Sequence, residues 1–407
     1  MLKCGLLGEH LGHSYSPAIH AQLGTYGYAL FERAPEELEA FLRGGEWDGL
    51  NVTIPYKKAV VPYCAELSPA AEKLGSVNTL VRRKDGTICG DNTDYYGFTS
   101  MVRRSGIAVA GRKAIVLGNG GASVTICAVL RDLGAKSVTV ISRRGEDNYT
   151  NLDRHADAQI VVNTTPVGMY PNNGEAAVDL RLFPKCEGVL DIVYNPARTA
   201  LILQAESLHI PCKSGLHMLV AQAKRSSEIF TDTAIADSEI DRIESLLGAQ
   251  LQNIVLIGMP GCGKSTVAKR LGAALDRPVY EADALIAEKT GMPIPEIFSK
   301  SGEDAFRVIE TQVLAELGKL SGAIISTGGG CITREENYPL LHQNGRIFWL
   351  QRALDKLPTK GRPISQATPL AELYAKREPL YARFADETII NETTLADALS
   401  AIKEKLK

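Results

Sequence analysis

Short apolar runs alternate with helix-like segments along the chain after residue 110, and the alternation restarts after residue 253. The runs are rich in β-branched residues, and in chain order they are KAIVL (113–117), SVTVIS (137–142), AQIVVNTT (158–165), GVLDIVY (188–194), NIVLI (253–257), AIIST (323–327) and RIFWL (346–350). Such runs are typical of parallel strands that are buried on both faces of a sheet. The pattern therefore predicts an α/β fold with two successive parallel sheets.

A segment between the two series marks a boundary. Residues 236–252, ADSEIDRIESLLGAQLQ, have the spacing of an amphipathic helix with a polar face, and we predict that this helix ends at Gly248. A chain of 407 residues is also longer than one hydrophobic core usually serves. We therefore expect the chain to divide near this helix.

Composition narrows the range of partners. With 45% hydrophobic and 23% charged residues the chain is typical of a globular protein, and a net charge of -2 argues against a general nucleic-acid binder. No apolar stretch approaches the roughly 18 residues that a membrane-spanning helix needs. The eight cysteines are scattered without zinc-site spacing, which indicates free thiols in a reducing cytoplasm. We expect small-molecule substrates, no nucleic acid and no membrane, and the oligomeric state stays open.

A glycine-rich loop follows the run NIVLI and precedes the helical segment TVAKRLGAAL. The loop GMPGCGKST matches the phosphate-binding pattern of a P-loop in the context that this pattern requires. Lys264 is placed to reach the β- and γ-phosphates of ATP, and Ser265 is a candidate Mg²⁺ ligand. The predicted nucleotide-binding residues of the loop are Gly258, Gly261, Cys262, Gly263, Lys264, Ser265 and Thr266.

Five further motifs in the second part of the chain resemble shikimate kinase over residues 253–407. They are YEADALI with Asp283, GEDAFRVIE with Arg307, STGGG with Gly328, Gly329 and Gly330, KGRPIS with Arg362, and KREPLY with Arg377. The resemblance implies that Asp283, Arg307, the three glycines and Arg377 bind shikimate. It also implies that Lys264, Asp283 and the lid residue Arg362 act in phosphoryl transfer, with Arg362 contacting the nucleotide.

Elementary chemistry supports that assignment. A carboxylate substrate favours bidentate guanidinium partners such as Arg307 and Arg377, and an attacking hydroxyl favours an acceptor such as Asp283. One position departs from the family, because Glu281 stands where an aspartate is usual. Whether Glu281 assists Mg²⁺ binding stays open at this point.

Four motifs in the first part of the chain resemble shikimate dehydrogenase, and the resemblance continues to about residue 247. They are GLLGEHLGHSYSPAIHAQL, GLNVTIPYK, GSVNTLV and GDNTDYYGF. The resemblance implies that shikimate or 3-dehydroshikimate is bound by Ser14, Ser16, Asn51, Thr53, Lys57, Asn78, Asp94, Tyr194 and Gln222. Lys57 and Asp94 would be the catalytic pair, and the sequence leaves open which of them transfers the proton.

The segment AIVLGNGGAS has the strand, glycine turn and helix start of a dinucleotide-binding loop. The next predicted strand ends in two arginines, where an NAD enzyme typically carries an acidic residue, so NADP(H) is favoured. The predicted cofactor-binding residues are Gly118, Asn119, Gly120, Gly121, Ala122, Ser142, Arg143, Arg144, Thr164, Gly215 and Met218. His217 and Ser142 depart from the residues common in the family, and residues 145–160 look abbreviated.

These motifs predict three domains and two consecutive reactions. Residues 1–100, completed by 216–247, would form the substrate domain of the dehydrogenase, 101–215 a Rossmann-like NADP domain, and 253–407 a P-loop kinase domain. The reactions would be the NADPH-dependent reduction of 3-dehydroshikimate and the ATP- and Mg²⁺-dependent phosphorylation of shikimate. The histidines His10, His13 and His20 match no standard metal site.

Two alternatives stay open on the sequence alone. The first is an NAD-dependent quinate/shikimate dehydrogenase joined to another small-molecule kinase, such as a relative of gluconate kinase. The second is a regulatory or scaffolding protein that binds ligand without turnover. Arg143 and Arg144 argue against the NAD-dependent half of the first alternative, and Asp283 with Arg307 and Arg377 argues against another kinase. The second alternative is disfavoured because all the proposed chemical residues are present, namely Lys57, Asp94, Lys264, Ser265 and Asp283.

Overall fold

The computed structural model describes residues 1–12, 14–357 and 369–406, and it divides the chain into two compact units. The first unit comprises Met1–Val167, Ala176–Tyr194 and Gln204–Leu246, and the second comprises Gly168–Glu175, Asn195–Leu203 and Leu247–Lys407. His13 and Arg362 lie outside the described residues. The three predicted domain ranges stay a prediction, because packing separates two units and not three.

The first sheet of the first unit is mixed. Its strands are β1 (Lys3–Gly8), β2 (Gly27–Glu32), β3 (Gly49–Val52), β4 (Glu66–Leu67), β5 (Thr79–Arg82) and β6 (Ile88–Asp91), in the order β2-β1-β3-β5-β6-β4. β1 pairs in parallel with β2 and β3, whereas β5 is antiparallel to β3 and β6. The helices of this region are α1 (Ser16–Leu23), α2 (Leu38–Gly44) and α3 (Pro69–Leu74).

The second sheet of the first unit is parallel throughout, as the apolar runs predict. Its strands are β7 (Lys113–Leu117), β8 (Ser137–Ile141), β9 (Ile160–Asn163), β10 (Gly188–Asp191) and β11 (Cys212–Ser214), in the order β11-β10-β9-β7-β8. The helices are α4 (Thr93–Ser105), α5 (Gly121–Asp132) and α7 (Leu216–Thr231), while α6 (Ala200–Ser207) and α8 (Ser238–Leu251) each contain residues of both units. Between β8 and β9 the only helical element is the short 3₁₀ turn Leu152–His155, which accounts for the abbreviated sequence there.

The predicted end of the boundary helix at Gly248 is wrong. Helix α8 runs on to Leu251, and the amide of Gln252 donates to the carbonyl of Gly248 at 2.9 Å. A glycine inside a helix costs only about 1 kcal/mol relative to alanine, so it does not by itself stop the helix.

The second unit is built around a third parallel sheet. Its strands are β12 (Asn253–Ile257), β13 (Val279–Glu281), β14 (Ile324–Ser326), β15 (Gly345–Gln351) and β16 (Glu387–Ile390), in the order β13-β14-β12-β15-β16. Its helices are α9 (Lys264–Leu275), α10 (Ala282–Thr290), α11 (Ile294–Gly318, kinked at Gly302), α12 (Asn337–His342), α13 (Leu370–Phe384) and α14 (Leu395–Lys405). The central strand β12 is buried along its whole length. In the described part of the chain, no helix is long and apolar enough to cross a membrane.

Two stretches that lie early in the sequence are part of the second unit. The amide of Ala197 donates to Asn344 Oδ1 at 2.8 Å, and the amide of Arg198 donates to the carbonyl of Gln343 at 2.8 Å. Asn173 Nδ2 donates to Gln343 Oε1 at 2.8 Å. The turn after α12 is thus hydrogen-bonded to chain that precedes β12 by more than 50 residues.

His20 is a buried base in the first unit. Its ring stacks on Tyr28 with the centroids 4.0 Å apart, and its Nδ1 lies 2.6 Å from Tyr26 Oη. Burial lowers the pKa of His20 to about 3, because an imidazolium would lose its hydration there. The imidazole is therefore neutral in the folded protein at neutral pH.

This pKa predicts an acid-dependent loss of stability. His20 favours the folded state above its unfolded pKa of 6.5, and that contribution is lost as the pH falls from 6.5 towards about 3, with a slope approaching about 1.4 kcal/mol per pH unit. We expect His20→Gln to lower the stability of the first unit at pH 7 and to flatten this slope. Urea unfolding followed by the fluorescence of Trp47, with Trp349→Phe as background, measures both.

Replacement of the exposed His10 by Gln is the matched control and should leave the slope unchanged. Equal slopes in the wild type and in His20→Gln would contradict the prediction.

Candidate active sites of the two units

Lys57 and Asp94 form an ion pair in the first unit. Lys57 Nζ donates to Asp94 Oδ2 at 2.5 Å, and the side chain of Lys57 is 27% exposed whereas that of Asp94 is 7% exposed. Asp94 is in the first turn of α4, where the helix dipole favours a carboxylate. The backbone carbonyl of Lys57 accepts from the amide of Val77 at 2.8 Å, which holds the loop after β3 in place. Lys57 is the more accessible member of the predicted pair.

Asn51 and Asn78 are held by hydrogen bonds that orient both amide groups. Asn51 Oδ1 accepts from Tyr28 Oη at 2.8 Å, and Asn51 Nδ2 donates to Ser226 Oγ at 2.7 Å. Asn78 Oδ1 accepts from the amide of Thr93 at 2.7 Å, and Asn78 Nδ2 donates to Gln222 Oε1 at 3.2 Å. The structure therefore brings Asn51, Asn78 and Gln222 together, and their role in substrate binding stays a prediction.

A cluster of buried hydroxyl groups joins these amides. Ser226 Oγ lies 3.0 Å from Thr79 Oγ1 and 3.1 Å from Thr93 Oγ1, and all three residues are fully buried. The cluster connects β5, α4 and α7 and satisfies polar groups that would be costly to bury alone. The sequence analysis missed these residues, because a buried serine or threonine has no local signature.

The remaining predicted substrate residues of the first unit lie near the start of α1 and after β10. The amide of Ser16 donates to Ser14 Oγ at 3.2 Å, and burial raises the pKa of the nearby Tyr28, against the opposing effect of a hydrogen bond with Ser16. The rings of Tyr15 and Tyr194 are in contact, with centroids 5.5 Å apart. Thr53 follows β3 directly, and its amide donates to the carbonyl of Leu7 at 2.9 Å.

The loop between β7 and α5 has the form of a phosphate cradle. A Cβ atom built on Gly120 or Gly121 would meet no atom within 4 Å, so the backbone there is open to a ligand. Helix α5 begins at Gly121 and presents its unpaired amides to the same space. Thr164 Oγ1 donates to the carbonyl of Leu117 at 2.7 Å, which fixes the end of β9 beside the loop. These residues fit the pyrophosphate of a dinucleotide.

Arg143 and Arg144 follow β8 and are exposed. Within the ranges that the structure describes, neither guanidinium has an ion-pair partner. Ser142 is buried, and its amide donates to the carbonyl of Asp147 at 3.1 Å, which starts a tight turn. Two exposed, uncommitted guanidinium groups at this position suit a 2′-phosphate.

Gly215 and Met218 lie at the start of α7, next to His217, which departs from the family pattern. His217 Nδ1 lies 2.7 Å from Glu244 Oε2, and its Nε2 lies 2.9 Å from Ser100 Oγ. Asp241 is close enough to share a cation with this pair, yet it already pairs with Arg104 at 3.0 Å. The histidine thus fills a structural position between α4, α7 and α8.

The P-loop of the second unit wraps around the side chain of Lys264. Lys264 Nζ donates to the carbonyls of Gly258 at 2.8 Å and Met259 at 3.1 Å, and the residue is buried. Gly258 and Gly263 have φ values of 144° and 105°, which side chains with a Cβ rarely adopt. The loop backbone is thus arranged to present amides to an anion at the start of α9.

One cavity of about 490 Å³ collects the predicted kinase residues. It is lined by Gly261, Gly263, Lys264, Ser265, Thr266, Asp283, Arg307, Gly328, Gly329, Gly330 and Arg377, among others. Cys262 is buried in the loop behind it. The sequence analysis missed Glu310 and Arg352, which also line the cavity.

Arg307 is held between two carboxylates on its own helix. Arg307 Nη1 donates to Glu310 Oε2 at 2.6 Å, and Arg307 Nη2 donates to Glu303 Oε1 at 2.9 Å. A Cβ on Gly330 would lie 2.0 Å from Arg307 Nη2, so a larger residue there would displace the guanidinium from its present position. The spacing of Glu310 three residues after Arg307 is a signal that could have identified it.

Asp283 and Glu310 face the same glycine. A Cβ built on Gly328 would lie 2.6 Å from Glu310 Oε1 and 2.8 Å from Asp283 Oδ1. Burial raises the pKa of Asp283, against the opposing charges of Lys264 and Arg307, and burial likewise raises the pKa of Glu310. Glu310 Oε1 is buried without a hydrogen-bond partner. This part of the cavity is therefore a place where a hydroxyl group could donate.

Arg377 lies opposite, on α13. Arg377 Nη1 donates to the carbonyl of Gly329 at 3.1 Å, and Tyr381 Oη donates to the same carbonyl. Arg377 is buried, and in the described ranges it has no carboxylate partner. It can therefore receive the carboxylate of a ligand.

The side-chain oxygens of Ser265 and Glu281 lie near each other beside the P-loop and are candidate metal ligands. Hydrogen bonds from Lys269, at 2.9 Å, and from Ser265 lower the pKa of Glu281, although burial opposes this, so the carboxylate is ionised. A hydroxyl next to an ionised carboxylate fits a hard cation such as Mg²⁺. A role of Glu281 in Mg²⁺ binding stays a proposal.

Two family models match the chain. The shikimate dehydrogenase substrate-binding domain matches residues 6–80, and shikimate kinase matches residues 260–407. The shikimate dehydrogenase (NADP(+)) of Clostridium perfringens strain SM101 is 35% identical over 260 residues, covering 59% of this chain and 96% of the relative. That of Dehalococcoides mccartyi is 37% identical over 259 residues, covering 56% and 90%.

Solved structures agree with these relatives. A chorismate mutase/shikimate 5-dehydrogenase fusion protein from Clostridium acetobutylicum is 35% identical with a TM-score of 0.57, covering 60% of this chain and 97% of its own. The shikimate 5-dehydrogenase of Thermus thermophilus, solved with NADP(H) and shikimate, is 28% identical with a TM-score of 0.55, covering 60% and 98%. The chain therefore belongs to the shikimate dehydrogenase family and joins this enzyme to a shikimate kinase domain, as one bifunctional enzyme of the shikimate pathway.

Proposed function

We propose that the chain reduces 3-dehydroshikimate to shikimate with NADPH and then phosphorylates shikimate to shikimate 3-phosphate with ATP. The observation that carries the proposal is the cavity in which Lys264 of the P-loop lies with Asp283, Arg307 and Arg377. This set suits a substrate with a carboxylate and a hydroxyl, which is the kind of product that the first unit would release. The proposed ranges are 1–100 with 216–247 for the dehydrogenase substrate domain, 101–215 for NADP binding and 253–407 for the kinase.

In the first reaction, NADPH supplies the hydride when it is bound. Lys57 donates a hydrogen bond to the ketone oxygen and stabilises the negative charge that develops on it. We assign the transferred proton to Lys57 Nζ, because Lys57 is the more exposed of the pair and Asp94 is buried behind it. Asp94 keeps the ammonium in position through its 2.5 Å contact.

The ring acid would be held by the amides and hydroxyls described above. Asn51, Asn78 and Gln222 are already oriented by their buried partners, so little ordering remains when the substrate binds. Ser14, Ser16, Thr53 and Tyr194 complete the proposed site.

NADP(H) is the proposed cofactor of the first unit. The open backbone at Gly120 and Gly121 fits the pyrophosphate, and the exposed Arg143 and Arg144 fit a 2′-phosphate. A quinate dehydrogenase from Corynebacterium glutamicum, solved with NAD, is also similar, at 27% identity and a TM-score of 0.54. Because the fold does not separate these cofactors, the two arginines carry the preference for NADPH.

In the second reaction, Asp283 accepts the proton of the attacking hydroxyl, and Arg307 and Arg377 bind the carboxylate of shikimate. Lys264 neutralises charge on the phosphates of ATP. Mg²⁺ would add further positive charge at the phosphates when it is bound by Ser265, with Glu281 beside it. The role of Arg362 in closing over the nucleotide stays a proposal, because this residue lies outside the described ranges.

A coupled assay tests the function. The full chain, supplied with 3-dehydroshikimate, NADPH, ATP and Mg²⁺, should form shikimate 3-phosphate, detected by mass spectrometry. Lys57→Ala should lower the reduction rate about 10²- to 10⁴-fold, because the proton donor is lost, and leave phosphorylation of added shikimate unchanged.

Lys264→Ala is the reciprocal control and should abolish phosphorylation alone. Loss of both activities in either variant would contradict the assignment of one reaction to each unit.

Arg143→Gln tests the choice of cofactor. A charge-assisted hydrogen bond contributes roughly 1.5–3 kcal/mol, so the Kd for NADPH should rise about 10- to 150-fold while that for NADH changes little. Binding is measured by fluorescence titration. The exposed Arg154, replaced by Gln, is the control, and an equal loss for both cofactors in Arg143→Gln would refute contact with a 2′-phosphate.

Asp283→Asn should separate activity from stability in the second unit. We expect the phosphorylation rate to fall about 10²- to 10⁴-fold, because the proton acceptor is lost. Since burial raises the pKa of Asp283, the ionised form disfavours folding above that pKa, and the neutral amide should raise the midpoint of thermal unfolding at pH 7. Trp349 fluorescence, with Trp47→Phe as background, follows this unit.

Glu281→Gln is a matched control of opposite sign. Lys269 and Ser265 lower the pKa of Glu281, so ionisation of this carboxylate favours folding and its loss should lower the midpoint. A decrease in both variants would show that Asp283 is not destabilised by its burial.

A further inference from the structure

Arg352 lies at the carboxyl end of β15, on the same side of the sheet of the second unit as the P-loop. It is the first residue after β15, and β15 pairs with β12, whose end continues into the P-loop. A Cβ on Gly258 would lie 2.5 Å from the carbonyl oxygen of Leu350, two residues before Arg352. The backbone that carries Arg352 is therefore packed directly against the first glycine of the loop.

The side chain and backbone of one asparagine, Asn391, connect the end of β15 to the P-loop. The amide of Asn391 donates to the carbonyl of Gln351 at 2.8 Å, and Asn391 Nδ2 donates to the carbonyl of Cys262 at 2.7 Å. Asn391 thus bridges the residue before Arg352 and the middle of the P-loop. The backbone next to Arg352 is therefore connected to the P-loop through one side chain.

The guanidinium of Arg352 is uncommitted. Arg352 lines the cavity that holds Lys264 and Asp283, and its Nε is buried without a hydrogen-bond partner. Among the residues that the structure describes, Arg352 has no carboxylate within ion-pair distance. Arg307 in the same cavity differs, because Glu303 and Glu310 pair with both of its ends. An unsatisfied buried donor of this kind is costly unless an anion completes it.

We propose that Arg352 is a further catalytic residue of the kinase, one that contacts the ATP phosphates and neutralises charge on the transferring phosphoryl group. The inference rests on the proposed function of the second unit. Phosphate is favoured over the shikimate carboxylate, because Arg352 is anchored to the P-loop, whereas Arg307 and Arg377 lie on α11 and α13. No family motif in the sequence marked this position.

The step itself needs no further reactant. The hydroxyl oxygen of shikimate forms a bond to the γ-phosphorus, the bond between that phosphorus and the bridging oxygen breaks, and ADP leaves with the electron pair. The hydroxyl proton passes to Asp283. Arg352 stays protonated throughout and donates N–H groups to the phosphate oxygens, where a planar guanidinium can make two bonds at once.

Two variants of the full chain test the proposal. Arg352→Gln should lower the kcat of phosphorylation at least about 10-fold and weaken ATP binding more than ADP binding, and Arg352→Lys should recover part of both, because it restores the charge without the fork. The Kd for shikimate and the dehydrogenase turnover should stay at wild-type values. Isothermal titration and steady-state kinetics give these quantities.

Arg346→Gln is the matched control, because Arg346 lies near the other end of β15 and pairs with Glu387 at 2.6 Å. Wild-type kcat and ATP affinity in Arg352→Gln would overturn the proposal, and so would a loss confined to shikimate affinity. If the wild-type chain itself phosphorylates no shikimate, the proposed function fails instead, so the two failures are distinguishable. Dehydrogenase turnover and the unfolding midpoint of each variant report whether it is folded.

Discussion

Both units depend on the unpaired amides at the start of a helix that follows the central region of a parallel sheet. β7 lies between β8 and β9, and β12 lies between β14 and β15; each is buried and leads through a glycine turn into a helix. The first amides of a helix have no partner within it, so they attract anions, and the parallel sheet directs neighbouring strand ends to the same edge. The cofactor and substrate residues of each unit are arranged around this constraint.

The two sites treat buried polar groups differently. In the first unit, the amides of Asn51 and Asn78 are satisfied by Ser226, Thr93 and Gln222 before any ligand binds. In the second unit, Glu310 is fully buried and Asp283 lines the cavity beside it, desolvation raises the pKa of both carboxyl groups, and Glu310 Oε1 has no partner. The polar groups of the first site are thus oriented before a ligand binds. In the second site the carboxyl groups destabilise the empty protein, and a ligand that donates hydrogen bonds to them can offset that free-energy cost.

The sequence predicted the parallel sheets well, because a continuous apolar run reports burial on both faces. All seven predicted runs contain a strand, whereas the three-residue β11 and β13 and the partly exposed edge strand β16 were too short or too polar to recognise. The sequence did not predict the mixed sheet of the first unit, because a strand such as β2 is largely exposed and has no continuous apolar run. Ser226 was missed because its partner Asn51 is 175 residues away, and no local pattern records such a contact.

The two glycine-rich loops could be recognised from the sequence, because several glycines directly after an apolar run form a distinctive local pattern. The structure places Lys57 next to Asp94, and Lys264 in one cavity with Asp283, Arg307 and Arg377. Arg352 had no such signal, since a single arginine after a strand is usually a surface residue. Only the structure shows that Arg352 lies near the P-loop, because β15 and the loop are far apart in the sequence.

The second unit includes Gly168–Glu175 and Asn195–Leu203, which precede the rest of it in the sequence. This limits where the chain could be divided into two separate proteins. A fragment that begins at Leu247 would lack these two stretches, and the groups of Gln343 and Asn344 that bond to them would lose these partners. The second unit is therefore discontinuous in sequence, and its full set of hydrogen bonds requires a chain that includes residues 168–175 and 195–203.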